Sequence, residues 1–261
     1  MNYTFCTRTD PGRARDNNED AVVHDDDTHL CVLADGMGGY NAGEIASGMA
    51  TAFIRSEMAR WLSEAGRHAK IKEIRRALEI CVDNANRSIF NASDSNPQYS
   101  GMGTTLVVGV FHGRTLVLGH IGDSRCYRLR VGVLEQITKD HSLLQEQIDA
   151  GLITPEQASS SSIKNLVTRA LGVEDAVMLD LHEHQVEVGD CYLMCSDGLS
   201  DMVDDGEIAS ILGGEAALEQ KADSLVTAAN GHGGRDNISV LLVQVGAASE
   251  KRGLISRLLG K

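Results

Sequence analysis

The sequence predicts an α+β fold built on antiparallel β-sheets. Three observations carry this expectation. Short β-rich runs joined by glycine-containing turns fill residues 104–137. Two long helical patterns, at 44–63 and 71–93, stand together between strand groups rather than alternating with single strands. Further helical segments recur near the end, before one last apolar strand. Grouped strands and grouped helices fit antiparallel sheets with helical layers better than βαβ winding.

The first three strands are "YTFCT", "DAVVH" and "THLCVL", each rich in β-branched, aromatic or aliphatic residues. In the first long helix Ile54, Met58, Trp61 and Leu62 fall on one face. In the second, Ile71, Ile74, Leu78, Val82, Ala85 and Ile89 recur every three or four residues. The period then changes. "TTLVVGVF", "RTLVLGHIG", "CYRLR" and "VLEQI" read as an antiparallel meander, with "HGR", "GDSR" and "VG" as hairpin turns. Residues 141–170 start helical ("HSLLQEQIDAGL") and pass into a serine run, Ser159–Ser162, expected to be an exposed, mobile loop. "VMLDLHEHQV" and "DCYLMC" are strands, 205–212 and 215–229 are helical, and "NISVLLVQV" closes the domain.

Composition narrows the function classes. The 261 residues suffice for one large domain or two small ones, and 42% hydrophobic with 4% aromatic content implies an aliphatic core. No apolar run approaches the ~20 residues of a membrane span. Arg8, Asp10 and Arg13 stand near the N-terminus without an apolar h-region, which argues against a secretory signal. The six cysteines are scattered, without a CxxC pair, and read as small buried hydrophobes in a reducing compartment. A cytoplasmic protein is expected. The net charge of −13, with no dense Lys/Arg face, excludes nucleic acid as a ligand. The division expected is a domain over 1–247 and a tail over 248–261. The tail carries an apolar stripe (Leu254, Ile255, Leu258, Leu259) and the one basic patch (Lys251, Arg252, Arg257, Lys261). It reads as a packed or frayed terminal helix, or as a weak docking segment. With no other exposed apolar stripe evident, a monomer is expected.

The acids recur in one kind of place. Asp35 and Gly36 follow "THLCVL"; Asp197 and Gly198 follow "DCYLMC"; Asp123 follows Gly122; Asp236 precedes the last strand; Glu19 and Asp20 head the second. Any single Asp-Gly is first a turn signal. As a set, acids at strand ends can be brought together by a sheet. Two carboxylates ~4 Å apart repel by roughly 4 kcal/mol at an effective dielectric of about 20. Oxygen-only ligands suit a hard divalent ion, Mg²⁺ or Mn²⁺, and no Cys/His spacing supports zinc.

"TDPGRARDNNEDAV", "LADGMGG", "GMGTTL", "GHIGDSR", "ITKDHS", "LMCSDGLSD" and "GGRDNISV" occur in that order from about Asn2 to Val245. Together they resemble the signatures of the metal-dependent type 2C protein serine/threonine phosphatases, in their bacterial form. The resemblance implies a four-layer αββα sandwich of two antiparallel sheets flanked by helices, with residues 141–170 as a variable flap beside the site. It implies two Mn²⁺ or Mg²⁺ ions, bridged by Asp35, with the Gly36 carbonyl as a further ligand. Glu19 would serve the second ion, and Asp197 and Asp236 the first. Asp123 with Asp197 would support a third, weaker position. Arg15 would grip the substrate phosphate, with Arg13 as a nearby competitor, and Asp20 would orient water. Phosphorylated proteins are the implied substrates and a Ser/Thr kinase the implied opponent. The alternatives are a non-catalytic phosphoprotein-binding relative and a hydrolase of small phosphomonoesters. Many eukaryotic members place His directly after the Asp-Gly; Met37 stands here, and a thioether donates no proton. The acid that protonates the leaving group is therefore unassigned; His141 is a candidate by motif proximity, against a packing or surface role.

Overall fold

The structure, a computed structural model, describes residues 1–39, 42–154, 157 and 166–248. Eleven strands among them form two antiparallel sheets. One sheet has the order β1 (Asn2–Asp10), β11 (Ile238–Gly246), β10 (Cys191–Cys195), β7 (Arg125–Arg130), β8 (Val133–Gln136). The other runs β2 (Asp20–Asp25), β3 (Leu30–Met37), β5 (Leu106–His112), β6 (Thr115–Ile121), β9 (Asp180–Gln185), with β4 (Gly103–Thr104) paired to the end of β3.

Three hydrophobic layers hold four structural layers together, and strand alternation assigns residues to them. Along β3, Leu30, Val32 and Ala34 face helices α1 (Ala42–Ala65) and α2 (Ile71–Ser95), while Cys31 and Leu33 face the opposite sheet. Along β11, Val240 and Leu242 face α4 (Asp197–Ser200), α5 (Asp205–Gly213) and α6 (Leu218–Gly231), while Leu241, Val243 and Val245 pack between the sheets. Central strands covered on both faces read as continuous apolar runs, which is why their periodicity is hard to see in the sequence. The expected αββα sandwich is the observed fold. The faces of both long helices are as expected: Ile54, Met58 and Leu62, and Ile74, Leu78, Val82, Ala85 and Ile89, are buried, and Trp61 packs against them.

Two expectations are corrected. The run 104–137 is not one meander. β5 and β6 belong to one sheet and β7 and β8 to the other, so "GDSR" is a crossover between sheets rather than a hairpin. A hairpin and a crossover use the same Gly-Asp-Ser turn chemistry, and only long-range pairing (β6 with β9, β7 with β10) separates them. The strand read as "THLCVL" also does not stop before Asp35: β3 continues through Asp35 to Met37 because Gly36 and Met37 pair with Thr104 and Gly103. In the segment 141–170, α3 covers Leu143–Asp149. Ser159–Ser162, and the tail residues Lys251, Arg252, Leu254, Ile255, Arg257, Leu258, Leu259 and Lys261, lie outside the described residues.

Candidate metal centre

The acids meet where the ends of both sheets and the N-terminus of α1 come together. Asp20 and Asp35 stand directly opposite each other on β2 and β3. Like charges across an antiparallel rung are destabilising unless a shared proton or a cation offsets them. Asp197 is the first residue of α4, carried there by β10. Asp236 precedes β11, and Asp123 lies on the crossover from β6 to β7.

The backbone around Asp35 is fixed from one side by Thr105. Its hydroxyl accepts from the Asp35 N–H (3.0 Å), and its own N–H donates to the Asp35 carbonyl (2.9 Å). Thr105 Oγ1 also shares a hydrogen bond with Ser124 Oγ (2.7 Å), which links β3 to the crossover. The glycine beside Asp35 is needed for close approach. A Cβ on Gly36 would lie 2.1 Å from the Gly43 carbonyl oxygen, and one on Gly43 would lie 2.8 Å from the Glu19 carboxylate. The first turn of α1 therefore rests on the strand end with no room for a side chain, and Glu19 lies against it. The Gly36 N–H donates to the Glu19 carbonyl (3.1 Å).

Asn237 ties the N-terminal loop to β11. Its Oδ1 accepts from Glu19 N–H (2.8 Å), and its Nδ2 donates to the carbonyls of Asn17 (2.9 Å) and Pro11 (3.1 Å). Ser196 Oγ donates to Asp20 Oδ2 (2.7 Å) and accepts from Ser239 N–H (3.0 Å). Neither Asn237 nor Ser196 was expected as part of the site; the only sequence signal was adjacency to Asp236 and Asp197. Arg15 is largely exposed and its Nη2 donates to Asp236 Oδ2 (2.7 Å). Arg13 is placed differently: its N–H donates to the Gly234 carbonyl (2.7 Å).

The electrostatics are those of an acid cluster short of positive charge. Burial, then repulsion from Asp20, Asp197, Asp123 and Asp236, holds Asp35 well above the usual carboxylate range. Burial, then Asp123 and Asp236, does the same to Asp197. Burial pushes Asp20 up to about 7, against the Ser196 hydrogen bond, and burial followed by repulsion from Asp140 pushes Asp123 up to about 6. Burial also raises Glu19, whose charged neighbours are Arg15, Asp236 and Glu44. Asp20 Oδ1 is buried with no hydrogen-bond partner. Oxygen-only donors, mutual repulsion and an orphaned buried carboxylate oxygen fit hard divalent cations.

Two other groupings do not have that character. Cys81 and Arg87 have the spacing of a thiol-phosphatase loop, but both lie inside α2, with Cys81 buried and Arg87 paired to Asp83. His120, His141 and Asp180 offer ligand atoms within 4.8 Å of one another. However, His141 Nδ1 accepts from the Gly122 N–H (3.1 Å), so Nε2 carries the ring proton and donates to Asp180 Oδ2 (3.0 Å). Arg169 Nη1 already lies 3.1 Å from that Nε2 and 3.0 Å from Asp180 Oδ1. A protonated nitrogen beside a guanidinium is a poor metal ligand. With both ring nitrogens committed, His141 is also not placed to protonate a leaving group, and Met37 offers no substitute.

Two packed antiparallel sheets, flanked by helices and carrying an oxygen-only acid cluster at one end, have the make-up of a metal-dependent phosphatase. The chain belongs to the protein phosphatase 2C family, whose model matches residues 12–224. It is 40% identical over 244 residues to the serine/threonine phosphatase stp of Listeria monocytogenes, covering 91% of this chain and 94% of that one. Among solved structures it is similar to the serine/threonine phosphatase PstP/Ppp of Mycobacterium tuberculosis (TM-score 0.87, 37% identity, 95% of this chain and 100% of that chain). It is also similar to the catalytic domain of PstP in complex with two manganese ions (TM-score 0.81, 38% identity, 94% and 99%).

Proposed function

We propose that this chain is a Mn²⁺- or Mg²⁺-dependent protein serine/threonine phosphatase that hydrolyses phosphoserine and phosphothreonine in proteins. The observation that supports it most is the convergence of Asp20, Asp35, Asp123, Asp197 and Asp236 into one cluster in which repulsion and burial raise the carboxyls despite Arg15 and Arg125 nearby. Family membership and relatives named serine/threonine phosphatase agree with that reading.

In this reading Asp35, Asp197 and Asp236 would hold one ion, and Asp35, the Gly36 carbonyl and Glu19 a second. Asp123 and Asp197 would support a third, weaker position. Bound divalent ions acidify coordinated water and offset phosphoryl charge. Arg15 binds the substrate phosphate, leaving its contact with Asp236 to do so, because a guanidinium matches phosphate oxygens with two parallel donors. Asp20 holds the attacking water in orientation by accepting its proton. The water oxygen bonds to phosphorus as the ester P–O bond breaks, and the released alkoxide takes its proton from solvent. The partner set is phosphorylated proteins and an opposing Ser/Thr kinase, in the cytoplasm. The catalytic unit is 1–247, with 141–170 as its flap, and 248–261 is a basic, amphipathic tail. Every assigned residue comes from one chain, so a monomer suffices.

Hydrolysis of a phosphothreonine peptide in Mn²⁺, compared with chelator and with a small aryl phosphate, tests this. Turnover that survives chelation, or a higher kcat/KM on the small ester than on phosphoprotein, would sink it.

A further inference from the structure

We infer that His141 is a positioning residue for Asp123, locked in one tautomer by the Asp180–Arg169 pair at the root of the flap. The inference rests on the assignment of Asp123 to the third metal position.

The crossover that carries Asp123 begins with Gly122, at φ +97°, where a Cβ would lie 2.7 Å from Thr105 Cγ2. Only glycine fits there, and glycine is the residue most costly to hold in one conformation. His141 holds it at two points. The His141 N–H donates to the Gly122 carbonyl (2.9 Å), and the Gly122 N–H donates to His141 Nδ1 (3.1 Å). The second bond exists only while Nδ1 is unprotonated. Asp180 Oδ2, 3.0 Å from Nε2, keeps the proton on the far nitrogen, as a carboxylate does for a metal-ligating or catalytic imidazole.

Asp180 is itself held. Arg169 Nη1 donates to its Oδ1 (3.0 Å) and to the Met178 carbonyl (3.3 Å). The His141 ring is stacked on His120 at 4.7 Å between centroids, and His120 Nε2 donates to the Lys139 carbonyl (2.8 Å). His141 and Arg169 stand at the two ends of the flap segment, joined by Thr168 N–H to the His141 carbonyl (2.8 Å). From the other end of the crossover, Ser124 meets Thr105 and so the Asp35 backbone. The flap root and the metal-bridging strand thus grip the Asp123 turn from opposite sides.

Three variants of the full-length protein test this: His141→Leu, Asp180→Ala and His141→Asn, whose amide oxygen can replace Nδ1 as acceptor. Hydrogen exchange at the Gly122 amide, followed by NMR without metal, should speed up about tenfold in the first two and return toward wild type in the third. The Mn²⁺ concentration for half-maximal activity should rise about fivefold in the first two, the scale of one lost hydrogen bond, and recover in His141→Asn. At saturating Mn²⁺ the KM for phosphopeptide should be unchanged. Wild-type Gly122 exchange in folded His141→Leu or Asp180→Ala overturns the clamp. So does a folded His141→Asn that restores neither readout. Asp123→Asn separates the two claims. An unchanged Mn²⁺ requirement there overturns the metal assignment and this inference with it. A shifted requirement there but not in His141→Leu overturns the inference alone.

Discussion

Strand β10 carries an aspartate at each end, and the two are treated in opposite ways. Asp190, just before Cys191, is 0% exposed and accepts from Arg130 Nε and Nη2 (2.7 Å each), Glu187 N–H (2.9 Å) and Tyr192 Oη (3.1 Å). Those partners hold its carboxyl below the usual range, although burial works against them. Asp197, two residues after Cys195, is driven up by burial and then by Asp123, Asp236, Asp201 and Asp20. Burial raises the pKa at both ends. What differs is the sign of the charge that dominates each end: the Arg130 guanidinium grips Asp190, whereas like charges prevail around Asp197.

The sharpest way to break this comparison is to neutralise one acid at each end. Asp197→Asn or Asp35→Asn should lower kcat in Mn²⁺ on the order of 10³-fold, while the metal-free protein melts at a higher temperature than wild type, because repulsion is relieved. Asp190→Ala should do the reverse, costing about 3 kcal/mol of unfolding free energy in urea while kcat is retained, because Arg130 keeps only Glu187 and the Gln185 carbonyl, and the Glu187 N–H and Tyr192 hydroxyl lose their acceptor. Loss of stability in metal-free Asp197→Asn would show that the cluster is internally satisfied and the contrast false.

The effect of Arg15 is smaller. Arg15→Ala should raise KM for phosphopeptide about tenfold, with Arg15→Lys in between, because an ammonium cannot make the paired bonds. Equal KM values in all three would remove Arg15 from the phosphate site.

A titration sharpens the contrast without mutation. Asp123 and Asp20 have folded values of about 6 and about 7, above the unfolded carboxylate value of about 4. Their contribution to stability is complete below the unfolded value and lost as pH rises through the folded ones. In chelator, the melting temperature should therefore fall between pH 5 and pH 8, and saturating Mn²⁺ should flatten that slope. Asp190 has the opposite sign: its folded value is depressed, so its contribution is present above the unfolded value and lost as pH falls through the folded one. A metal-free melting temperature that is flat over pH 5–8 would contradict the assignment of the cluster.

The sequence discloses the acids more readily than what supports them. Asp35, Asp197 and Asp236 stand out because each interrupts or abuts an apolar run, and a sheet must bring such positions to an edge. Grouped strands and two periodic helices point to antiparallel sheets with helical layers, and the four-layer αββα order is what the family resemblance implies. The crossover at Gly122–Ser124 does not stand out, because its turn chemistry is that of a hairpin. Thr105, Ser196 and Asn237 are single polar residues whose partners lie far along the chain; Ser196 and Asp20, for instance, are 176 positions apart. The His141–Asp180–Arg169 group is hidden for the same reason, since no local period relates its members.

The opposed Asp20 and Asp35 also bear on how much enzyme a cell keeps. A ligand that binds only the folded chain adds stability by mass action, about 2.7 kcal/mol when it is a hundredfold above its dissociation constant. If this rung is closed by divalent ions, manganese scarcity does more than slow turnover. It enlarges the unfolded fraction exposed to proteolysis, so ion supply sets the lifetime of the protein as well as its rate.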